Sequence, residues 1–180
     1  MRNLFHGLEK LAAKSILVLL GASSLLLTGC GVNLADVSAG NSYSSPATVQ
    51  GTLHGGQQPI AFATVKLYAA GTTGYGSAGI LLATTTSSST GVFYFTKSGT
   101  NGTSTGTTSS FACPATAADP QIYLIATGGN AIGNGLNDSA DTNGNIALMT
   151  ALGPCSQITN SEFLVVDERS TAATATATRH

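Results

Sequence analysis

The sequence predicts a single all-β sandwich over residues 47–168, and three observations point to it. Short runs rich in β-branched and aromatic residues recur along that stretch, clusters of Gly, Ser, Thr and Asn separate them, and apolar and polar residues alternate within them. In chain order the runs are TVQGTLH (48–54), FATVKLYA (62–69), ILLATTT (80–86), VFYFT (92–96), QIYLIAT (121–127), NIALMTAL (145–152) and EFLVVDE (162–168), which makes seven strands. Ala63, Val65 and Leu67 share one face of the second run, with Thr64 and Lys66 on the other. Phe93 and Phe95 pair on one face of the fourth, opposite Val92 and Tyr94. Ile122, Leu124 and Ala126 alternate with Tyr123 and Ile125, so the fifth run is apolar on both sides and should be a central strand. A domain of about 130 residues holds one core and not two.

The flanks read differently. Arg2, Lys10 and Lys14 give a positive start, partly offset by Glu9, and Ser15 to Leu27 is a 13-residue, mainly apolar stretch. A membrane-spanning helix needs roughly 20 apolar residues, whereas a secretory signal has a positive start, a short apolar run and a small-residue cut site. Residues 1–29 therefore read as a helical signal peptide. Leu27-Thr28-Gly29-Cys30 resembles the bacterial lipobox, in which Leu-small-Gly precedes Cys. The resemblance to lipoproteins implies cleavage between Gly29 and Cys30 and diacylation of the Cys30 thiol; a plain secretory signal with an incidental cysteine is the alternative. Several acyl chains hold a protein on a bilayer far better than one. Residues 30–46, small and polar, suit a flexible tether.

Without residues 1–29, Lys plus Arg fall from 7 to 4 and Asp plus Glu from 8 to 7, leaving a net charge of −3. No basic patch remains, which argues against nucleic-acid binding through phosphate neutralisation. With Cys30 lipidated, Cys113 and Cys155 are an even pair in an oxidising compartment, the arrangement of a disulfide, with two buried free thiols as the alternative. Residues 97–110 (KSGTNGTSTGTTSS) are low in complexity and read as a mobile loop. Residues 169–180, with their Ala–Thr alternation, read as a disordered tail that could also extend the last strand.

The stretch Gly51-Thr-Leu-His-Gly-Gly-Gln-Gln-Pro-Ile-Ala-Phe-Ala-Thr-Val-Lys-Leu-Tyr68 resembles the opening of carboxypeptidase regulatory-like (prealbumin-like) domains, with Gly-x-apolar followed by Pro-apolar-x-x-Ala-x-Val-x-Leu. Thr84 to Phe95 carries the second half, a Thr-rich strand, Gly91 and then aromatic-x-aromatic, in which Gly91 would supply the turn between two antiparallel strands. Gln121–Asn130 and Ala147–Cys155 are similar to exported acidobacterial proteins that carry this domain. The resemblance implies a seven-stranded prealbumin-like, immunoglobulin-like sandwich, an accessory or adhesive module rather than a catalyst. Such relatives continue with more apolar sequence where Ala–Thr repeats stand here, which leaves a truncated or frame-shifted end open.

Candidate chemistry is sparse. His54, in His-Gly-Gly, has no nucleophile motif around it, and His180 is the only other histidine beyond residue 29. A three-histidine metal site is excluded in one mature chain. Hydroxyisourate hydrolases share the implied fold, but they carry several catalytic histidines and a Tyr-Arg-Gly-Ser ending, which this chain lacks. Placing Gly144 at position 6 of a calcium loop puts Ser139, Asp141 and Asn143 at positions 1, 3 and 5, with Thr150 at position 12 where a bidentate Glu is needed. An Asx-rich turn is the better reading. Gly71–Gly79 lacks the Gly-Lys-Ser/Thr of a phosphate loop and reads as a loop tip displaying Tyr75. Lys66, facing away from Val65 and Leu67, is poorly placed for the internal isopeptide bond of related adhesin domains.

The sequence thus predicts a non-catalytic lipoprotein of the cell envelope, anchored in the membrane through Cys30 and facing the periplasm or exterior, without metal or cofactor. Its role would be structural or adhesive, against a polysaccharide or another envelope protein. The alternative is a starch-binding-like carbohydrate module, with Tyr75 as its candidate contact among Tyr43, Tyr68, Tyr75 and Tyr94.

Overall fold

The computed structural model describes residues 46–74, 76–116, 118–137 and 141–177. Gly29, Cys30, the tether up to residue 45 and Tyr75 lie outside them. Among the described residues, nine strands form two sheets: β1 (Thr48–Gly55), β2 (Gln58–Pro59), β3 (Thr64–Ala69), β4 (Ile80–Thr86), β5 (Val92–Lys97), β6 (Thr108–Phe111), β7 (Gln121–Thr127), β8 (Ala147–Pro154) and β9 (Glu162–Val166). One sheet runs β2-β1-β5-β6, with β9 added parallel to β1; the other runs β4-β3-β7-β8. The all-β class holds, but the strand count is nine and not seven. The two additions are β2, a two-residue partner of His54 and Gly55, and β6, parallel to β5.

The predicted alternation is the burial pattern. Val65, Leu67, Phe93, Phe95, Ile122 and Leu124 are fully buried, and they meet Val49, Leu53, Phe111 and Val166 in one core between the sheets. Each such side chain contributes about 1.5–3 kcal/mol through burial. Strand β3 begins at Thr64 rather than residue 62 because Phe62 adopts a left-handed backbone, φ 57°, that no strand can continue through. Gly51 stands directly opposite Phe93, whose ring fills the space that a glycine leaves on the inner face.

Gly91 turns the chain as expected, with φ 76° and its N–H donating to the Ser88 carbonyl at 3.0 Å. The strands on either side do not pair, however. β4 belongs to one sheet and β5 to the other, so the turn crosses between layers.

Residues 97–110 are not a free loop. The Thr84 N–H donates to the Gly102 carbonyl at 3.1 Å, the Ser104 N–H to the Thr84 carbonyl at 2.9 Å and the Thr86 N–H to the Gly106 carbonyl at 2.9 Å. The same segment meets the other sheet through Tyr94 N–H to the Thr107 carbonyl, 2.8 Å, and Gly102 N–H to the Ser110 carbonyl, 2.8 Å. It stitches β4 to β5 and β6, and so closes one side of the sandwich.

Nor is the described part of 169–180 disordered: Glu168–Ala177 form a helix, α1, packed beside β8 and β9. Asp167 starts it. Its Oδ1 accepts the Ser170 N–H at 2.8 Å while its own N–H donates to Ser170 Oγ at 3.0 Å, a reciprocal capping box with Ser in place of Glu or Gln. Gly56 N–H donates to Glu168 Oε1 at 2.9 Å, which ties the helix start to the β1–β2 turn.

Candidate functional site

Cys113 and Cys155 are bonded, with Cα atoms 5.8 Å apart. Cys113 lies on the segment leaving β6 and Cys155 opens a 3₁₀ turn, Cys155–Gln157, after β8, so the bridge joins the chain leaving one sheet to the chain leaving the other. Lys97 Nζ donates to the carbonyls of Cys155 and Ile158 at 2.8 and 3.0 Å, holding that turn onto β5. Asp119 accepts from Ser156 through both N–H and hydroxyl, and these bonds hold its carboxyl below the usual range. The cluster is structural: its donors are consumed by backbone and carboxylate partners.

The aromatic groups are distributed over both sheets. Tyr94 is on the outer face of the sheet containing β1, opposite Gln50, with exposed Phe163 on the far side of Gln50. Tyr68 is on the outer face of the other sheet, directly opposite Tyr123 of β7. The two rings stack with centroids 5.4 Å apart and planes 12° from parallel. Desolvation, and secondarily the neighbouring Tyr68, push the Tyr123 hydroxyl above its usual pKa. That hydroxyl lies against Gly79, where a side chain would collide with it.

Beside this pair a cavity of about 310 Å³ opens, lined by Tyr123 with Ala70, Gln121, Met149, Ala151 and Thr174. Gln121 and Tyr123 come from β7, Met149 and Ala151 from β8 and Thr174 from helix α1. Such a surface offers stacking and apolar contact with a few hydrogen bonds. It offers no charge and no nucleophile.

The remaining sequence candidates stay apart. His54 is half-buried at the end of β1 against Pro59. Lys66 faces outward, opposite Thr84 and Ile125. Asp141 accepts from Asn134 Nδ2 at 2.6 Å, Asn143 Oδ1 accepts the Asn145 N–H at 3.0 Å, and Thr150 sits in the β7–β8 ladder against Leu124, an arrangement of Asx turns. Ser139 lies outside the described residues. Among the described residues, no group of three His, Cys, Asp or Glu is placed to hold a metal ion, and no helix is long and apolar enough to cross a membrane. Sequence reasoning placed Tyr68 and Tyr123 on strands but missed their pairing, because only the β3–β7 register brings them together. In comparisons with known proteins, no family model and no curated protein matches this chain.

Proposed function

We propose that this chain is a non-catalytic, lipid-anchored module of the cell envelope, facing the periplasm or exterior and acting as a structural or adhesive body. The observation that carries the reading is Leu27-Thr28-Gly29-Cys30 at the end of a 13-residue apolar run behind a positive start. The Cys113–Cys155 bridge supports it, because such bonds persist in oxidising compartments. The resemblance of residues 51–68 to carboxypeptidase regulatory-like domains supports an accessory role on a prealbumin-like sandwich. Fed a clickable fatty-acid analogue, cells expressing the chain should label it and retain it in the membrane fraction. Cys30→Ser should lose both label and retention; labelling that persists in this variant overturns the anchor.

A second reading, a carbohydrate-binding module, is favoured by the stacked Tyr68–Tyr123 pair beside the cavity that Gln121 lines. Sugars present apolar C–H faces to aromatic rings and hydroxyls to amides, and this surface supplies both. Tyr123→Ala should weaken saturable binding to an insoluble polysaccharide by roughly tenfold, in line with the loss of one ring's stacking and burial. The binding isotherm of Tyr75→Ala beside it tells whether the loop tip or the sheet face is the contact, and no saturable binding by the parent chain sets the module reading aside.

A further inference from the structure

Asparagine followed by glycine occurs three times in this chain, at Asn101-Gly102, Asn134-Gly135 and Asn143-Gly144. The pair is chemically labile: the glycine nitrogen can attack the asparagine side-chain carbon, and no Cβ on the glycine obstructs the ring that closes. The fold sets the three pairs in unequal positions.

At 101–102 the nucleophile is engaged. The Gly102 N–H donates to the Ser110 carbonyl of β6 at 2.8 Å, and Asn101 Oδ1 accepts the Ala112 N–H at 2.7 Å. At 134–135 the electrophile is clamped. Asn134 Oδ1 accepts from Asn130 Nδ2 at 2.7 Å and from the Leu136 N–H at 3.0 Å, while its Nδ2 donates to Asp141 Oδ2 at 2.6 Å. Asn130 is itself buried, so the Asn134 side chain cannot swing toward Gly135 without breaking a fixed network. At 143–144 neither restraint is present among the described residues. Both residues are exposed, Gly144 has open space around it, and nothing accepts its N–H.

One bond at this third pair favours reaction. Asn143 Oδ1 accepts the Asn145 N–H at 3.0 Å, an Asx turn that folds the side chain back across the Gly144 peptide. The same bond puts a donor on the oxygen that turns negative when Cγ is attacked, the role of an oxyanion-hole amide. Asn134 has an equivalent donor in Leu136, but its two further bonds hold it still.

We propose that Asn143–Gly144 is a site of self-modification, the first of the three pairs to deamidate in the folded chain. The Gly144 nitrogen gives its proton to solvent and bonds to Asn143 Cγ; the Cγ–Nδ2 bond breaks, ammonia leaves, and a succinimide closes. Water then opens the ring at either carbonyl, giving aspartate, or isoaspartate with the main chain rerouted through the side-chain carbon. In sum an amide and a water become a carboxylate and ammonium, with no oxidant or cofactor. The product places a new negative charge two residues from Asp141. The isoaspartyl form also lengthens the chain just before β8, in the turn that the Ile146 N–H closes on the Asn143 carbonyl at 3.4 Å. The loop from β7 to β8 thus changes charge and shape irreversibly with time after folding.

To test this, the folded, oxidised full chain is kept in mildly alkaline buffer made with heavy-oxygen water, then digested with pepsin in acid and mapped by mass spectrometry. Asn143 should convert at least about fivefold faster than Asn101, whose neighbour must first break one ordinary backbone hydrogen bond. It should also lead Asn134, with heavy oxygen in the new carboxylate and isoaspartate as the larger product. In the reduced chain unfolded by guanidinium the three rates should converge, since the fold alone separates them. Gly144→Val, which enters open space, should slow conversion at 143 by roughly tenfold through the crowding of a β-branched neighbour, and leave 101 and 134 unchanged. The parent chain decides the order even if this variant does not fold. The proposal is overturned if Asn101 or Asn134 leads in the folded chain, if the three run alike there, or if Asn143 stays intact after the unfolded chain has converted.

Discussion

Replacing both Cys113 and Cys155 with alanine should lower the unfolding free energy by about 4 kcal/mol, the loop-entropy estimate for a bridge over some forty residues. The bond has a sequence separation of 42 and spans from the exit of β6 to the exit of β8, so the unfolded chain gains a large loop and the two sheets lose a covalent tie. For a domain of this size that corresponds to a melting midpoint lower by roughly 10–20 °C. Calorimetry of the oxidised protein, the reduced protein and the double-alanine variant measures it, and the latter two should melt alike. Lys97 still grips the Cys155 and Ile158 carbonyls in the variant, so the 3₁₀ turn should keep its place in the folded state. A midpoint that reduction leaves unmoved would show that the bridge does not constrain the unfolded chain.

The second large effect is expected where Gly51 meets Phe93. A Cβ at position 51 would lie 2.6 Å from the Leu164 carbonyl oxygen and 2.7 Å from Phe93 Cζ, so backbone on β9 and a core ring both stand in its way. Gly51→Ala should therefore cost about 2–3 kcal/mol through overpacking. Phe93→Ala, which empties a fully buried aromatic site, should cost about 3–5 kcal/mol. Because the two positions are a directly opposed cross-strand pair, the double variant should fall short of the sum by roughly 1 kcal/mol. Urea denaturation of the three variants gives the cycle. Strict additivity would mean that the ring does not occupy the glycine's space.

These residues also show what could be read in advance. Strands β3, β4, β5 and β7 were legible because burial on one face writes a period of two into the chain, as in Val65 and Leu67 or Phe93 and Phe95. β2 was not, since two residues hold no period, and β6 was not, since Thr-Ser-Ser-Phe has one buried apolar side chain, Phe111, to mark it. Helix α1 carried one local sign, the Asp167–Ser170 box, but its stability comes from hydroxyls that reach β8, a contact invisible in a run of Ala and Thr. Of the tyrosine pair, Tyr68 was legible as a candidate contact, Tyr123 only as a residue of a central strand, and their place together was not legible. Which strands adjoin is decided by pairing over more than fifty residues of chain, and no local pattern encodes that.

The stitched segment after β5 has an evolutionary consequence. Its bonds to β4, β5 and β6 are made largely by peptide groups, with Thr100 and Thr105 exposed, while the Asn101 Oδ1 accepts the Ala112 N–H at 2.7 Å. Residue identity is thus nearly free at positions such as Thr100 and Thr105, whereas Asn101 and Ser104, whose side chains accept the Ala112 and Gly106 N–H groups, are constrained. Mutational drift can rewrite the exposed threonines among polar alternatives at little cost, but proline at 102 or 104 deletes an amide that closes the seam. A saturation scan of this stretch would return a broad tolerance broken by narrow proline vetoes, the inverse of the pattern at Gly51.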